Sequence, residues 1–467
     1  MIFQPQGRCP RWLADPPARP PPFWHNDLSE PLPPRRALRC STILNETLTL
    51  FSLRFAVSFL DARLPPASAL ARSLPPGGDG EKSSAERARR PFASVEVLTD
   101  IEAARPVWAE IGAHAVASPY QSYEFSMHWS RTIGASSKVS PWIVVARDRA
   151  GTVSALLPLG RFRRGLIHRA AFVGGRLANF QMGLFRVGVD WTDADVAELL
   201  RAAALAGPRV DVFMLANQPF AWAGSPNPMV GLGAWPSPSC AYSSALPASF
   251  SFWRDAHYSK PTQKKLRKKA QRLGAIGPLT HSRAYGADEV GAVVEALLAQ
   301  KRARLRVLGL PNEFDGETTI ALLTRLSGDE APVLELHALR AGERIVATFA
   351  GLSNGVRLSG LFLSHDMDPV VAVASPGELL IMEVVRDAIA RGVVTFDLGV
   401  GEARYKNQCC ETTEALFDSA LGITMAGRIA AAAFLAGRRI KARVKRSPSL
   451  LRLAIRARRL ASRPIPR

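Results

Sequence analysis

Cysteine is scarce. The 467 residues hold five, Cys9, Cys40, Cys240, Cys409 and Cys410, odd in number and without metal-binding spacing. Neither a disulfide framework nor a zinc site is predicted, and no metal is expected. Long apolar runs are missing as well: Ile429 to Ala436 and Val370 to Ala374 are too short to cross a bilayer, and Ile43 to Leu60 is interrupted by Asn45, Glu46 and Arg54. The residues after Met1 lack a basic segment leading into an apolar one, so a secretory signal is not predicted and a cytoplasmic setting is the expectation. Acidic residues stop at Asp418. From Arg428 to Arg467 there are 13 Lys and Arg, so most of the formal charge of +20 belongs to a tail and the rest of the chain stands near +7.

An apolar share of 47% over this length supports a substantial core and two or three domains. Residues 1–90 hold 14 of the 35 prolines. Proline at that density fixes φ and removes amide donors, which predicts a mostly disordered extension. Periodic structure begins near Phe92. The run from Trp142 to Leu157 reads as strand, tight turn and strand, Thr192 to Asp195 opens a helix to about Leu205, and Val210 to Leu215 forms another strand. The same order recurs downstream in strands at Leu334 to Leu339, Ile345 to Leu352 and Val356 to Ser364, a helix from Ser375, and a strand at Val393 to Leu398. Ala146 to Gly151 can be laid over His337 to Gly342, and Val212-Phe213 over Thr395-Phe396, which predicts two copies of one fold.

The richest stretch lies in the second copy. Ser375 fits an N-cap, Pro376 the first helical position and Glu378 the third, a capping box ahead of Leu380, Ile381, Val384, Val385 and Ala388. Amides at such a helix start favour an anion such as a pyrophosphate, and Gly377 lets it approach the backbone. About twenty residues later comes Phe396-Asp397-Leu398-Gly399-Val400-Gly401-Glu402-Ala403-Arg404-Tyr405-Lys406, a strand and a polar, glycine-containing loop. Between the copies, Lys260 to Gly274 predicts a helix with basic residues on nearly every face. Its readings are a phosphate-bearing ligand, nucleic acid, or a solvated surface.

With Ser118-Pro119-Tyr120-Gln121 through Phe125, Trp129, Lys301-Arg302 and Gly342 to Ala347, these segments resemble the GNAT acyltransferase superfamily. They are most similar to its CelD-like branch, which has two GNAT-like halves and is related in architecture to the FemABX peptidyltransferases. The resemblance covers residues 92 to 425. It implies an α+β fold of two GNAT-like lobes, each a mixed, mostly antiparallel sheet flanked by helices. Residues 91–248 and 249–425 are the expected lobes, 1–90 the extension and 426–467 a basic helical tail. It also implies transfer of an acetyl group from acetyl-CoA to a small-molecule or glycan acceptor, a sugar-containing envelope precursor among them. The alternatives are a Fem-like enzyme using aminoacyl-tRNA, and a non-catalytic scaffold. The chain departs from the superfamily in lacking an Arg/Gln-x-x-Gly-x-Gly/Ala loop before the helix, where His365-Asp366-Met367-Asp368-Pro369 stands instead.

Direct acyl transfer needs a site for the CoA phosphates, donors for the oxyanion and a base for the nucleophile's proton. Asp397 is a candidate base or a carboxylate that structures its turn, and Glu402 a second base or a surface residue. His365 is a base candidate on pKa grounds or a solvated loop residue. Tyr405 is a candidate acid for the thiolate. Ser375, Gly377, Glu378 and Lys406 are candidates for cofactor contact, and an extended Tyr405-Lys406 pair would face opposite ways. Cys409 and Cys410 read as buried apolar residues. The tail combines apolar residues with Arg and Lys, the pattern of a helix resting on anionic lipid or packed on the domain.

Overall fold

Two meanders, each followed by a helix and a parallel strand, repeat along the chain. The computed structural model describes residues 90–453 except 311, 313, 315, 329–331, 448 and 451. The Pro-rich stretch expected to be disordered, and the end of the basic tail, lie outside the described residues. The first lobe opens with strands β1 (Ser94–Leu98), β2 (Ser140–Arg147), β3 (Val153–Arg164) and β4 (Ile167–Phe172). Asp148 closes the β2–β3 turn by accepting the amides of Ala150 and Thr152, both at 2.9 Å, while Gly151 takes φ +80°. Helix α1 (Asp193–Ala206) starts with a capping box in which Thr192 and Asp195 exchange hydrogen bonds, and it leads to β5 (Val212–Pro219).

The second lobe contains β6 (Ala241–Ala245), the basic helix α2 (Lys260–Gly274), β7 (Leu279–Arg283), helix α3 (Gly286–Val307), β8 (Leu334–Ala341), β9 (Arg344–Ser353) and β10 (Arg357–His365). Helix α4 (Pro376–Ala390), β11 (Thr395–Val400) and the short α5 (Arg404–Cys409) follow, then β12 (Leu416–Gly422) and the long helix α6 (Met425–Arg446). The first sheet runs β1-β2-β3-β4-β5-β12 and the second β7-β8-β9-β10-β11-β6, extended by the short strands Leu184–Phe185 and Trp235–Pro236 in the first and Thr412–Glu414 in the second. All neighbours are antiparallel except β4 with β5 and β10 with β11. Each parallel step is crossed by a helix, α1 or α4, so the repeat expected from the sequence is present strand for strand.

The lobe boundaries differ from the sequence expectation in one respect. Strand β6, placed with the first lobe, pairs with β11 of the second, and β12, placed with the second, pairs with β5 of the first. Each lobe therefore lends its last strand to the other. Helix α6 lies on β12 and β5 rather than forming a separate tail. A Cβ on Gly427 would sit 1.7 Å from the Asp211 carbonyl oxygen, so glycine permits that close approach. Arg438 clamps the fully buried Asp418 and reaches Asn217 at 2.8 Å. Tyr120, Phe125, Phe180 and Trp222 share one apolar cluster with Leu297, Leu298, Leu334 and Phe362, joining the lobes through a common core.

Candidate active site

Strands β10 and β11 pair only from Arg357–Ser359 against Thr395–Asp397, then part. Each is bulged just past that point. Against β9, residue Leu361 of β10 is skipped between Gly360 and Phe362; against β6, Leu398 of β11 is skipped between Asp397 and Gly399. Bulges bend a strand and increase its twist, and here both fall where the strands separate. The opening is a cavity of about 180 Å³ whose lining includes Leu361, Leu363, Leu398, Lys301, Tyr405 and Lys406.

The first lobe closes the vertex of this opening. Asn179 Nδ2 donates to the Gly360 carbonyl oxygen at 3.0 Å and to the Tyr120 hydroxyl at 2.7 Å, and its Oδ1 accepts the Val400 amide at 3.1 Å. One side-chain amide thus replaces the ladder bonds the parted strands have lost. Gly399 makes room for it: φ is +68°, and a Cβ there would lie 2.2 Å from Asn179 Nδ2.

Besides Asn179, three polar side chains line the cavity. Helix α3 buries Val290, Val293, Val294, Leu297 and Leu298, and Lys301 continues that stripe one turn after Leu297. Its ammonium stands 4.3 Å from the Phe362 ring centre and 5.2 Å from that of Phe314, and burial, together with neighbouring Arg304, pushes its pKa down to about 8. Lys406 Nζ donates to the carbonyl oxygens of Gly399 and Val400, both at 3.1 Å, and burial outweighs the pull of Asp397 to lower it to about 8. Burial raises the Tyr405 hydroxyl to about 12, so it stays protonated at neutral pH.

Residues 260–407 match the family model of an acetyltransferase (GNAT) domain. The matched stretch runs from the basic helix α2 to α5 and takes in most of the second lobe. The first lobe repeats its strand order, giving the two GNAT-like lobes expected from the sequence. No curated protein sequence matches the chain significantly. Among solved structures, FemX is similar at 9% identity over 70% of this chain and 98% of its own, with a TM-score of 0.49. A tandem GNAT protein from the clavulanic acid biosynthesis pathway is similar at 12% identity over 70% and 98%, TM-score 0.40. A conserved protein of unknown function from Bacteroides thetaiotaomicron is similar at 12% identity over 70% and 99%, TM-score 0.45.

Within the second lobe the sequence candidates fall into separate places. Tyr405 and Lys406 both line the cavity, contrary to the expectation of opposite faces, because they sit in helix α5, where successive residues turn by about 100° rather than 180°. Asp397 does not line it. That carboxylate is fully buried, takes Arg357 Nε at 2.7 Å, the Ser359 hydroxyl and the Gly399 amide at 3.0 Å, and so holds the turn instead of meeting an acceptor. Arg357 in turn bonds Glu414 at 2.8 Å and lies 4.2 Å from the Trp222 ring centre and 4.9 Å from that of Phe180. Glu402 points to helix α6, where it accepts Lys445 at 3.0 Å.

At the start of α4 the expected capping box is not formed. Ser375 takes φ +50° and ψ +56°, so its hydroxyl makes no cap bond; it accepts Lys269 Nζ at 2.9 Å, and Glu378 accepts the same ammonium at 3.2 Å. Pro376 has no amide, and those of Glu378 and Leu379 go to the Ser375 carbonyl oxygen at 3.0 and 3.4 Å. The anion cradle expected there is correspondingly reduced, and Lys269 of the basic helix is paired with Glu378 beside it. A Cβ on Gly377 would meet Leu363 and His365 at 3.8 and 3.9 Å, ordinary contacts. His365 donates from Nδ1 to the Asp366 carbonyl oxygen at 2.9 Å, leaving Nε2 toward Arg304, 3.5 Å away.

Sequence reasoning passed over Asn179, Arg357 and the role of Lys301. Lys301 had a signal, a lysine on the apolar stripe of an amphipathic helix. Asn179 had none, since it lies outside any periodic element. Cys409 and Cys410 are buried thiols, with Tyr258 Oη 3.1 Å from Cys409 Sγ. Glu335, His337 and Asp387 bring ligand atoms within 4.8 Å of one another, but Arg391 holds both carboxylates, Glu335 at 2.9 and 2.6 Å and Asp387 at 2.9 Å. Both carboxylates of that cluster are thus already bound by one guanidinium. Among the described residues no helix is long and apolar enough to cross a membrane.

Proposed function

We propose that this protein is an acyl-CoA-dependent transferase that moves an acetyl group directly from the thioester to an amine or hydroxyl, on a sugar or envelope-glycan precursor. The observation that carries this is the parting of β10 and β11 at two bulges. It leaves the edge of β10 from Gly360 onward without a strand partner on that side, so main-chain groups are available to a thioester lying in the gap. The start of α4, at the far end of β10 and beside the basic helix α2, is the place proposed for the CoA phosphates, with Lys269 turning from Glu378 to meet them. The sugar rests on the family resemblance alone.

In this scheme the acceptor's lone pair attacks the thioester carbonyl, the oxyanion collapses and the C–S bond breaks. Tyr405, protonated at neutral pH, hydrogen-bonds the departing thiolate. His365 is assigned the acceptor's proton: it lies two residues beyond cavity-lining Leu363, hence on the same face of β10, and Nδ1 holds the ring proton, so Nε2, 3.5 Å from Arg304, is the nitrogen that would accept it. No covalent enzyme intermediate is required. The setting is cytoplasmic, with α6 touching anionic lipid at the membrane face: Met425, Ile429 and Ile440 are exposed beside Arg428, Arg439 and Lys441.

The test is calorimetric titration of the full chain with acetyl-CoA, alongside a Leu361→Trp variant that fills the cavity. Saturable binding, lost in a variant that melts like the wild type, is expected. No binding by the folded wild type would overturn the proposal and favour a transfer-RNA-dependent enzyme or a scaffold.

A further inference from the structure

The cavity between β10 and β11 is unusual in its charge. Two ammonium groups, Lys301 and Lys406, face it, and no carboxylate belongs to its lining. The nearest acid acting on Lys406, Asp397, is committed to Arg357, and Lys301 has a further cation, Arg304, beside it. A lysine on a buried apolar stripe costs stability unless something compensates its charge, and a leucine or methionine at 301 would continue the stripe of α3 without that cost. Phe362 and Phe314 compensate in part through their ring faces. Lys406 satisfies two of its donors on main-chain carbonyl oxygens, which leaves a third. The arrangement is a seat built for an anion. The CoA phosphates are assigned to the start of α4, so the anion left for this seat is a carboxylate on one of the reactants.

We propose that this cavity seats a carboxylate carried in by one of the two reactants, the acceptor or the acyl chain, held by Lys301 and Lys406. This rests on the acyl-CoA assignment and narrows it: the acceptor is an acid such as an amino acid or a carboxylated sugar, or the acyl group is dicarboxylic.

Four calorimetric titrations of the full chain separate the cases: acetyl-CoA, succinyl-CoA, and, with the protein saturated by CoA, succinate and its neutral counterpart succinamide. If the acyl chain carries the carboxylate, succinyl-CoA binds at least about tenfold tighter than acetyl-CoA, the worth of one charge-assisted hydrogen bond. If the acceptor carries it, the two thioesters bind alike and succinate is preferred to succinamide by a similar factor. Lys301→Met removes either preference while CoA itself still binds, and Lys301→Gln serves the same purpose should the methionine variant not fold. Equal binding within both pairs, or a preference that survives both variants, overturns the proposal. Failure of CoA to bind, with succinate still preferred over succinamide by the free protein, would instead remove the acyl-CoA assignment and leave the carboxylate seat standing.

Discussion

Asp397→Asn is the substitution on which a catalytic and an architectural carboxylate part company. A base in a cleft should lose turnover and keep its stability. The buried Asp397 instead holds Arg357, Ser359 and the Gly399 amide, and Arg357 reaches across to Phe180 and Trp222 of the first lobe. Removing one partner of a buried ion pair costs about 3–5 kcal/mol, because the other charge is left uncompensated. Arg357 keeps Glu414 and its two aromatic neighbours, so the lower end, about 3 kcal/mol, is expected. At about 1–2 °C per kcal/mol for a unit of this size, the midpoint of thermal unfolding falls by roughly 3–6 °C. Urea unfolding followed by tryptophan fluorescence should show the matching shift. In Arg357→Met/Asp397→Asn the loss should be about 2 kcal/mol smaller than the sum of the single losses, since neither charge is then stranded. An Asp397→Asn protein that unfolds like the wild type yet fails to turn over would refute this and restore the carboxylate as a base.

Gly399→Ala forces a Cβ into a left-handed backbone and onto Asn179, so it should cost at least about 1–2 kcal/mol and weaken acetyl-CoA binding; the cost should shrink in an Asn179→Ala background, and an undiminished cost would count against the contact. His281 stacks on His337 at 5.3 Å, and burial together with that neighbour pushes it down to about 4 from 6.5. A base with a depressed folded pKa leaves the unfolded state holding more protons, so stability should fall as pH drops from about 6.5 to 4, and His281→Asn should flatten that slope in pH-dependent unfolding. Below it a second loss is expected, from pH 4.5 toward 2: burial would raise Glu335, but hydrogen bonds from His337 and Arg391 hold it at about 2. On α6, Ile429→Glu with Ile440→Glu should reduce flotation with anionic vesicles and leave melting unchanged; unaltered flotation would exclude this face as the lipid contact. Deleting the helix is a poorer probe, because it strands buried Asp418.

The sequence by itself determined the elements. The apolar runs of β2, β3 and β9, the alternation Leu334-Glu335-Leu336-His337 that opens β8, the cap at Thr192 and the glycine turns at Gly151, Gly342 and Gly355 are local signals, so the repeated meander, helix and parallel strand could be read from them. The order of elements along the chain and the basic helix α2 were legible for the same reason, while the GNAT-like region was legible only through the resemblance of its motifs. Partnership was not. Ala241–Ala245 and Leu416–Gly422 each carry a pattern that fits either sheet, and only packing of the whole chain decided that each crosses to the other lobe. Ser375, Pro376 and Glu378 have the right spacing for a capping box, but Lys269, 106 residues from Ser375, took both polar side chains. Asp397 stands at the end of a strand, where a base would be expected, yet its partner Arg357 became visible only once β10 lay beside β11. The cavity belongs to tertiary structure most completely: two bulges, a glycine with positive φ and an asparagine from the first lobe part the strands, and hydrogen bonds between residues so distant in sequence leave no periodic trace.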